Sequence, residues 1–230
     1  MKKLVVLSGA GISAESGIST FRDANGLWRN YRIEEVASPI AWRNNMELVL
    51  EFYNIRRKQL FEVEPNAGHH ALVDLEKYFD VEIITQNVDD LHERAGSSNV
   101  LHLHGELKKA RSTVDENLVV ELKHWELKKG DTCPKGSQLR PHIVWFGESV
   151  NTFPQAASRI RQADLLIVVG TSLLVYPAAG LIDYVAAKVP VYYIDPNAEK
   201  QAYRSNMITL AEKAGIGLPK LASQLIKGYR

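Results

Sequence analysis

The stretch Leu4-Val5-Val6-Leu7-Ser8-Gly9-Ala10-Gly11-Ile12-Ser13 decides the fold. Four consecutive apolar residues leave no polar face, so they suit a strand buried on both sides, as in parallel sheets. The run then breaks on glycines, where backbone amides can approach an anion closely. Outward from it the pattern repeats. Apolar runs at 81–84, 165–169 and 191–194 end in Thr85-Gln86-Asn87, Gly170-Thr171-Ser172 and Asp195-Pro196-Asn197. Helical periodicity lies between them, over 46–61, 69–77 and 177–187. Strand alternating with helix predicts an α/β fold with a doubly wound parallel sheet. Ligands of such sheets bind at the carboxyl ends of the strands, where all four polar turns fall.

Two stretches break the alternation. Residues 24–70 read as mainly helical, and 106–142 as polar and irregular, with Gly130, Pro134, Gly136 and Pro141. They are expected to form a smaller lobe from two insertions, leaving 1–23, 71–105 and 143–230 for the sheet domain. The 230 residues suit this size, and 45% apolar content is enough for a core. A net charge of +1 without a basic block weighs against a nucleic-acid partner. No apolar run approaches the ~18 residues of a membrane helix, so no membrane partner is expected. The single cysteine, Cys133, rules out an internal disulfide and fits a reducing compartment. The expectation is a cytoplasmic monomer.

The segment Thr85-Gln86-Asn87-Val88-Asp89-Asp90-Leu91-His92 places amides and carboxylates directly after a buried strand. Such groups are costly there unless they bind something. In His102-Leu103-His104-Gly105 the alternate histidines share a strand face. Alone the pair suits a structural or a catalytic role; beside the amide-rich turn it points to a general base. The glycines after the first strand do not follow GxGxxG, and they also suit a plain strand-to-helix turn. Asp195 suits two roles: acceptor for ribose hydroxyls, favouring NAD over NADP, or a turn residue beside Pro196.

These residues resemble the sirtuin family. Gly9-Ala10-Gly11-Ile12-Ser13, Ser16-Gly17-Ile18, Thr20-Phe21-Arg22, Thr85-Gln86-Asn87-Val88-Asp89, His102-Leu103-His104-Gly105, 141–148 (Pro-His-Ile-Val-Trp-Phe-Gly-Glu) and Gly170-Thr171-Ser172-Leu173 follow the family's order across almost the whole chain. The shape is similar to compact bacterial sirtuins, NAD-dependent protein deacylases with a Rossmann-like domain and a small lobe. The resemblance implies that NAD is held by Gly9, Ala10, Gly11, Ser13, Ala14, Glu15, Gln86, Asn87, Val88, Asp89, His104, Gly170, Thr171, Ser172, Asp195, Asn197 and Ala214. It adds Phe21 and Arg22 in a covering loop, and Trp28. His104, Asn87 and Asp89 would be catalytic. The acyl oxygen of a lysine amide attacks the ribose as nicotinamide leaves, and His104 takes a ribose hydroxyl proton, giving lysine and O-acyl-ADP-ribose.

An acylated lysine peptide is expected as an added strand between Phe146-Gly147-Glu148 and Leu173-Leu174-Val175, with Val144 beside the acyl-lysine channel. Tyr53 and Arg56 stand three apart on one helix face and resemble the pair of the subgroup that accepts succinyl and malonyl groups. The same spacing also suits a surface arginine beside a core aromatic. The family's zinc cysteines are missing here except Cys133, so zinc is not expected. Packing by Leu118, Val119, Leu122 and Trp125 is expected to hold the lobe instead. Two alternatives share these residues: an NAD-dependent protein ADP-ribosyltransferase and a non-catalytic NAD-binding module.

Overall fold

The computed structural model describes residues 1–18, 27–28, 31–198 and 204–229. In chain order the first elements are β1 (Lys3–Ser8), α1 (Gly11–Ala14), β2 (Leu27–Trp28), β3 (Tyr31–Arg32), α2 (Ile33–Val36), α3 (Pro39–Asn44) and α4 (Met46–Glu62). Next come α5 (Ala67–Leu75), β4 (Asp80–Thr85), α6 (Leu91–Ala95), β5 (Val100–His102), β6 (Gly105–Ser112), β7 (Val119–Glu121) and β8 (Leu139–Ile143). The last are α7 (Phe153–Arg161), β9 (Leu165–Val169), a 3₁₀ segment (Ala178–Tyr184), β10 (Val191–Ile194), β11 (Met207–Leu210) and α8 (Ala214–Tyr229).

Six strands form a parallel sheet in the order β11-β10-β9-β1-β4-β5. β1 is buried on both faces. Val5 and Leu7 pack with Ile160 and Leu181 on one side, and Leu4 and Val6 with Leu72 and Leu218 on the other. This is why its sequence carries no alternation. β1 lies between β4 and β9, so the chain's path reverses there, and the crevice at that reversal is where open α/β sheets bind ligands. The doubly wound expectation is met. Two edge strands, β5 and β11, extend it beyond the four apolar runs.

The second insertion is more regular than its polar sequence suggests: β7, β6 and β8 make a three-stranded antiparallel sheet. α4 packs on it, and both insertions share one core containing Trp42, Phe52, Tyr53, Leu107, Leu139 and Trp145. Of the packing residues expected here, Leu118 and Leu122 lie against that core, while Val119 and Trp125 are 38% and 39% exposed. Alternation along β7 explains the exposure of Val119, because Val120 takes the inward position. At the other boundary, Ala71, Leu72 and Leu75 of α5 belong to the sheet's own packing layer.

Candidate active site

The floor of the crevice is made of two turns in backbone contact. The amide of Gly9 donates to the Val169 carbonyl at 3.0 Å, and that of Gly11 to the Gly170 carbonyl at 2.8 Å. A Cβ on Gly11 would stand 2.7 Å from Gly170 Cα, and one on Gly170 2.4 Å from the Ile12 nitrogen. Gly170 also has a φ of +64°, which favours glycine. These glycines therefore shape the cradle; the amides of Gly9 and Gly11 are already engaged by the neighbouring strand end. The helix that follows is a single turn, Gly11–Ala14.

Ser13, fully buried in that turn, joins the two polar side chains after β4. Asn87 Nδ2 donates to Ser13 Oγ at 3.0 Å, and Ser13 Oγ donates to Asp89 Oδ2 at 3.0 Å. The other Asp89 oxygen accepts the Leu91 amide at 3.2 Å. Burial pushes the Asp89 carboxyl up, against these donors. Gln86 Nε2 donates to Thr171 Oγ1 at 3.1 Å, tying the β4 turn to the β9 turn. Val88 holds its place through its carbonyl, which accepts the Leu107 amide at 2.7 Å.

His104 Nδ1 lies 3.0 Å from the Gln86 carbonyl. A carbonyl only accepts, so Nδ1 carries the proton and the neutral ring keeps a lone pair on Nε2. Burial lowers the imidazole's pKa, outweighing the Gln86 bond. A part-buried imidazole with a fixed tautomer and a free basic nitrogen suits a general base.

On the other side of the turns, Glu15 accepts the Gly215 amide at 2.7 Å at the start of α8, beside the buried Ala214. Asp195 is buried, and its Oδ1 accepts the Asn197 amide at 2.8 Å, so it does serve as a turn residue. Phe21 and Arg22 lie outside the described residues; Trp28 falls in β2, paired with Tyr31.

The segment after β8 leads out of this crevice. The Val144 amide donates to the His104 carbonyl at 2.9 Å, and the Phe146 amide to the Ala37 carbonyl at 3.0 Å. Phe146, Leu174 and Val175 are exposed. Gly147 has a φ of +89°. Glu148 accepts from Arg140 Nη1 at 2.6 Å, Arg111 Nη2 at 3.2 Å and the Trp145 amide at 2.8 Å, and Arg140 stacks on the Trp145 ring. Tyr53 is buried under this segment, its hydroxyl accepting Trp145 Nε1–H at 3.0 Å. Burial pushes the phenol up to about 12, with the Arg56 charge acting against it.

Two residues with clear roles were assigned none by the sequence reading. His102 bridges the Asn87 carbonyl and Glu93. Arg57, not Arg56, is the fully buried arginine of α4. Its signal was available: it falls on the helix's apolar stripe with Leu50, Tyr53 and Leu60.

Comparison with known proteins agrees with this geometry. Residues 9–177 match the Sir2 family. The chain is 56% identical over 229 residues to an NAD-dependent protein deacylase of Helicobacter pylori, covering 99% of both chains. It is 52% identical to one of Bacteroides thetaiotaomicron, covering 98% of this chain and 99% of that one. A solved Sir2 homolog–NAD complex superposes with a TM-score of 0.90 at 40% identity, covering 100% of this chain and 91% of the other. With the nucleotide-type crevice, the fixed imidazole and these matches over its whole length, the chain belongs to the Sir2 family of NAD-dependent protein deacylases.

Proposed function

We propose that this deacylase removes acetyl groups and, through Arg56, succinyl and malonyl groups from lysine side chains of protein substrates. The observation that carries the assignment of chemistry is His104: its proton is held on Nδ1 by Gln86, leaving Nε2 to take a proton. The glycine cradle and the buried Asn87–Ser13–Asp89 relay fit a dinucleotide, with the phosphates over Gly9–Gly11 and Gly170–Ser172 and the reactive ribose beside Asn87 and His104. NAD, when bound, would supply an anomeric carbon with a leaving nicotinamide. The chain's residues orient the ribose, keep water out and accept a hydroxyl proton at His104 Nε2. A solved relative holding a deacetylated p53 peptide and 3′-O-acetyl ADP ribose, 27% identical with a TM-score of 0.75, supports an acylated peptide as the second substrate here. The peptide backbone would pair with the exposed segments at Phe146–Glu148 and Leu174–Val175.

The acid-acyl reading rests on charge. Arg56 is half-buried one turn from Tyr53, and its field reaches the phenol. A guanidinium can meet a distal carboxylate with two parallel hydrogen bonds. We also propose that the small lobe works without zinc. Cys133 Sγ bonds Ser112 Oγ at 3.3 Å and Ser137 Oγ at 3.1 Å, so the remnant thiol already has hydroxyl partners. Structural zinc needs four N or S ligands, and among the described residues no cluster of three or more His, Cys, Asp or Glu forms.

The test is a panel of acetyl-, succinyl- and malonyl-lysine peptides with NAD. His104→Ala is expected to lose all activities by ~100-fold or more. Arg56→Met is expected to lose desuccinylation by ~100-fold while deacetylation changes by less than ~3-fold. Equal loss of both would overturn the role of Arg56. ADP-ribosylated protein in place of O-acyl-ADP-ribose would favour the transferase reading.

A further inference from the structure

His102 stands two residues before His104 with its ring held at both ends. Nδ1 lies 2.9 Å from the Asn87 carbonyl, and Nε2 lies 2.8 Å from Glu93 Oε1. Both neighbours are acceptors, since a carbonyl has no proton and an ionised carboxylate has none either. The two bonds therefore require N–H on both ring nitrogens, the imidazolium. A neutral ring would aim a lone pair at one acceptor. The His102 side chain is only 8% exposed, so water cannot easily replace the lost partner, whereas Glu93 is 41% exposed.

We propose that His102 is a positioning residue for deacylation: as an imidazolium braced by Glu93 it clamps the Asn87 carbonyl, and so fixes the Asn87–Asp89 turn against Ser13. The inference rests on the assignment of Asn87 and Asp89 to the reaction. The turn it holds carries both ends of the Asn87–Ser13–Asp89 relay. The charge also acts directly, because the His102 cation favours the ionised form of buried Asp89.

Several groups face the ring. Glu93 and His92 approach from α6, Glu106 from β6 and Asp89 from the turn itself. Burial disfavours the cation, but the hydrogen bond and charge of Glu93, the Asn87 carbonyl and the Glu106 charge together outweigh it, and the net shift is upward from 6.5. The clamp is complete below the ordinary imidazole value and is lost as pH rises through the raised one. His104 shifts oppositely, so its base form appears on the acid side. The two histidines of one motif thus bound the active range: His104 from below and His102 from above.

The experiment is single-turnover nicotinamide release at saturating NAD over a range of acetyl-lysine peptide concentrations, across about pH 5.5 to 9. It compares wild type with Glu93→Gln, His102→Gln and Asn87→Ala, with NMR titration of the histidines alongside. Wild type is expected to fall ~3- to 10-fold on the alkaline side, tracking the His102 titration. Glu93→Gln removes the charge that holds the proton, so both the fall and the titration should move down by about one pH unit. His102→Gln should run ~10-fold slower with no alkaline fall and little change in peptide KM. An alkaline fall at the same pH in all three proteins, or a loss that appears in peptide KM alone, would overturn the clamp. If His102→Gln does not fold, the Glu93→Gln shift decides alone. Full nicotinamide release by Asn87→Ala would overturn the site assignment beneath it; an inactive Asn87→Ala together with an unmoved alkaline fall in Glu93→Gln overturns only the clamp.

Discussion

His104 shows how one hydrogen bond decides a side chain's chemistry. The Gln86 carbonyl selects the tautomer, and burial keeps the ring neutral. Its pKa is lowered, so the base form is fully present at neutral pH and is lost as pH falls through a value below 6.5. The kcat/KM for peptide is therefore expected to fall tenfold per pH unit on the acid side, about one decade for each unit below that value. His104→Ala is expected to erase this acid limb along with most of the rate, as read from deacylation profiles of the two proteins. The same limb at the same position in the residual activity of the variant would assign the titration to another group. The motif Thr85-Gln86-Asn87-Val88-Asp89 was legible as a set of groups in need of partners, because polar side chains at a buried strand end are costly when unpaired. Which partner each one takes was not legible. Ser13 lies 74 residues from Asn87 and 76 from Asp89, and only the parallel pairing of β1 with β4 brings them together.

Among the elements, α4 carries the clearest conflict between composition and burial. Leu50, Tyr53, Arg57 and Leu60 form its inward stripe, and Arg57 is a fully buried cation there. Its Nη1 donates to Asn54 Oδ1 at 2.8 Å and the Trp125 carbonyl at 2.7 Å, and its Nε donates to the Leu107 carbonyl at 2.5 Å. Asn54 completes the bracket, donating to the Leu127 carbonyl at 3.0 Å and accepting the Leu127 amide at 2.9 Å. Burial lowers the guanidinium to about 10, still far above neutral pH, so the group stays charged. Arg57→Met keeps the apolar stem but leaves two backbone carbonyls without donors, which is expected to cost about 3 kcal/mol in urea unfolding. A change below ~0.5 kcal/mol would mean that the bracket is incidental. The central strands were readable because each is buried on both faces and appears as an unbroken apolar run. β6 was not, because its burial is irregular and its sequence, Gly-Glu-Leu-Lys-Lys-Ala-Arg-Ser, places cations on a half-covered sheet. Its Gly105 is a further constraint, since a Cβ there would stand 2.0 Å from the His142 carbonyl oxygen.

Two cores meet in this chain, and they are built on different principles. The sheet domain is held by apolar layers on both faces of β1, a design visible from the first ten residues. The small lobe has one apolar core shared by its two insertions, and polar cross-links supplement it. Lys129 pairs with Glu47 between the insertions, and Lys135 with Asp115 within the second, both near solvent where such pairs add little. The Arg57 and Asn54 bonds tie α4 to the second insertion, and within that insertion Ser112 and Ser137 hold the thiol, at sites more shielded from solvent. In the zinc-free lobe proposed above, these contacts are what hold the loops together. If they suffice, the folded state has no metal-linked free energy to lose. A strong zinc chelator is then expected to leave the thermal midpoint within about 1 °C and the deacylation rate unchanged. Cys133→Ser makes the inference sharper. A serine hydroxyl can replace the thiol's bonds to Ser112 and Ser137, so this variant should lose less than about 1 kcal/mol, as measured by denaturant unfolding. A zinc-held lobe would instead unravel with chelator or with Cys133→Ser, and metal analysis of the purified protein would find one zinc per chain.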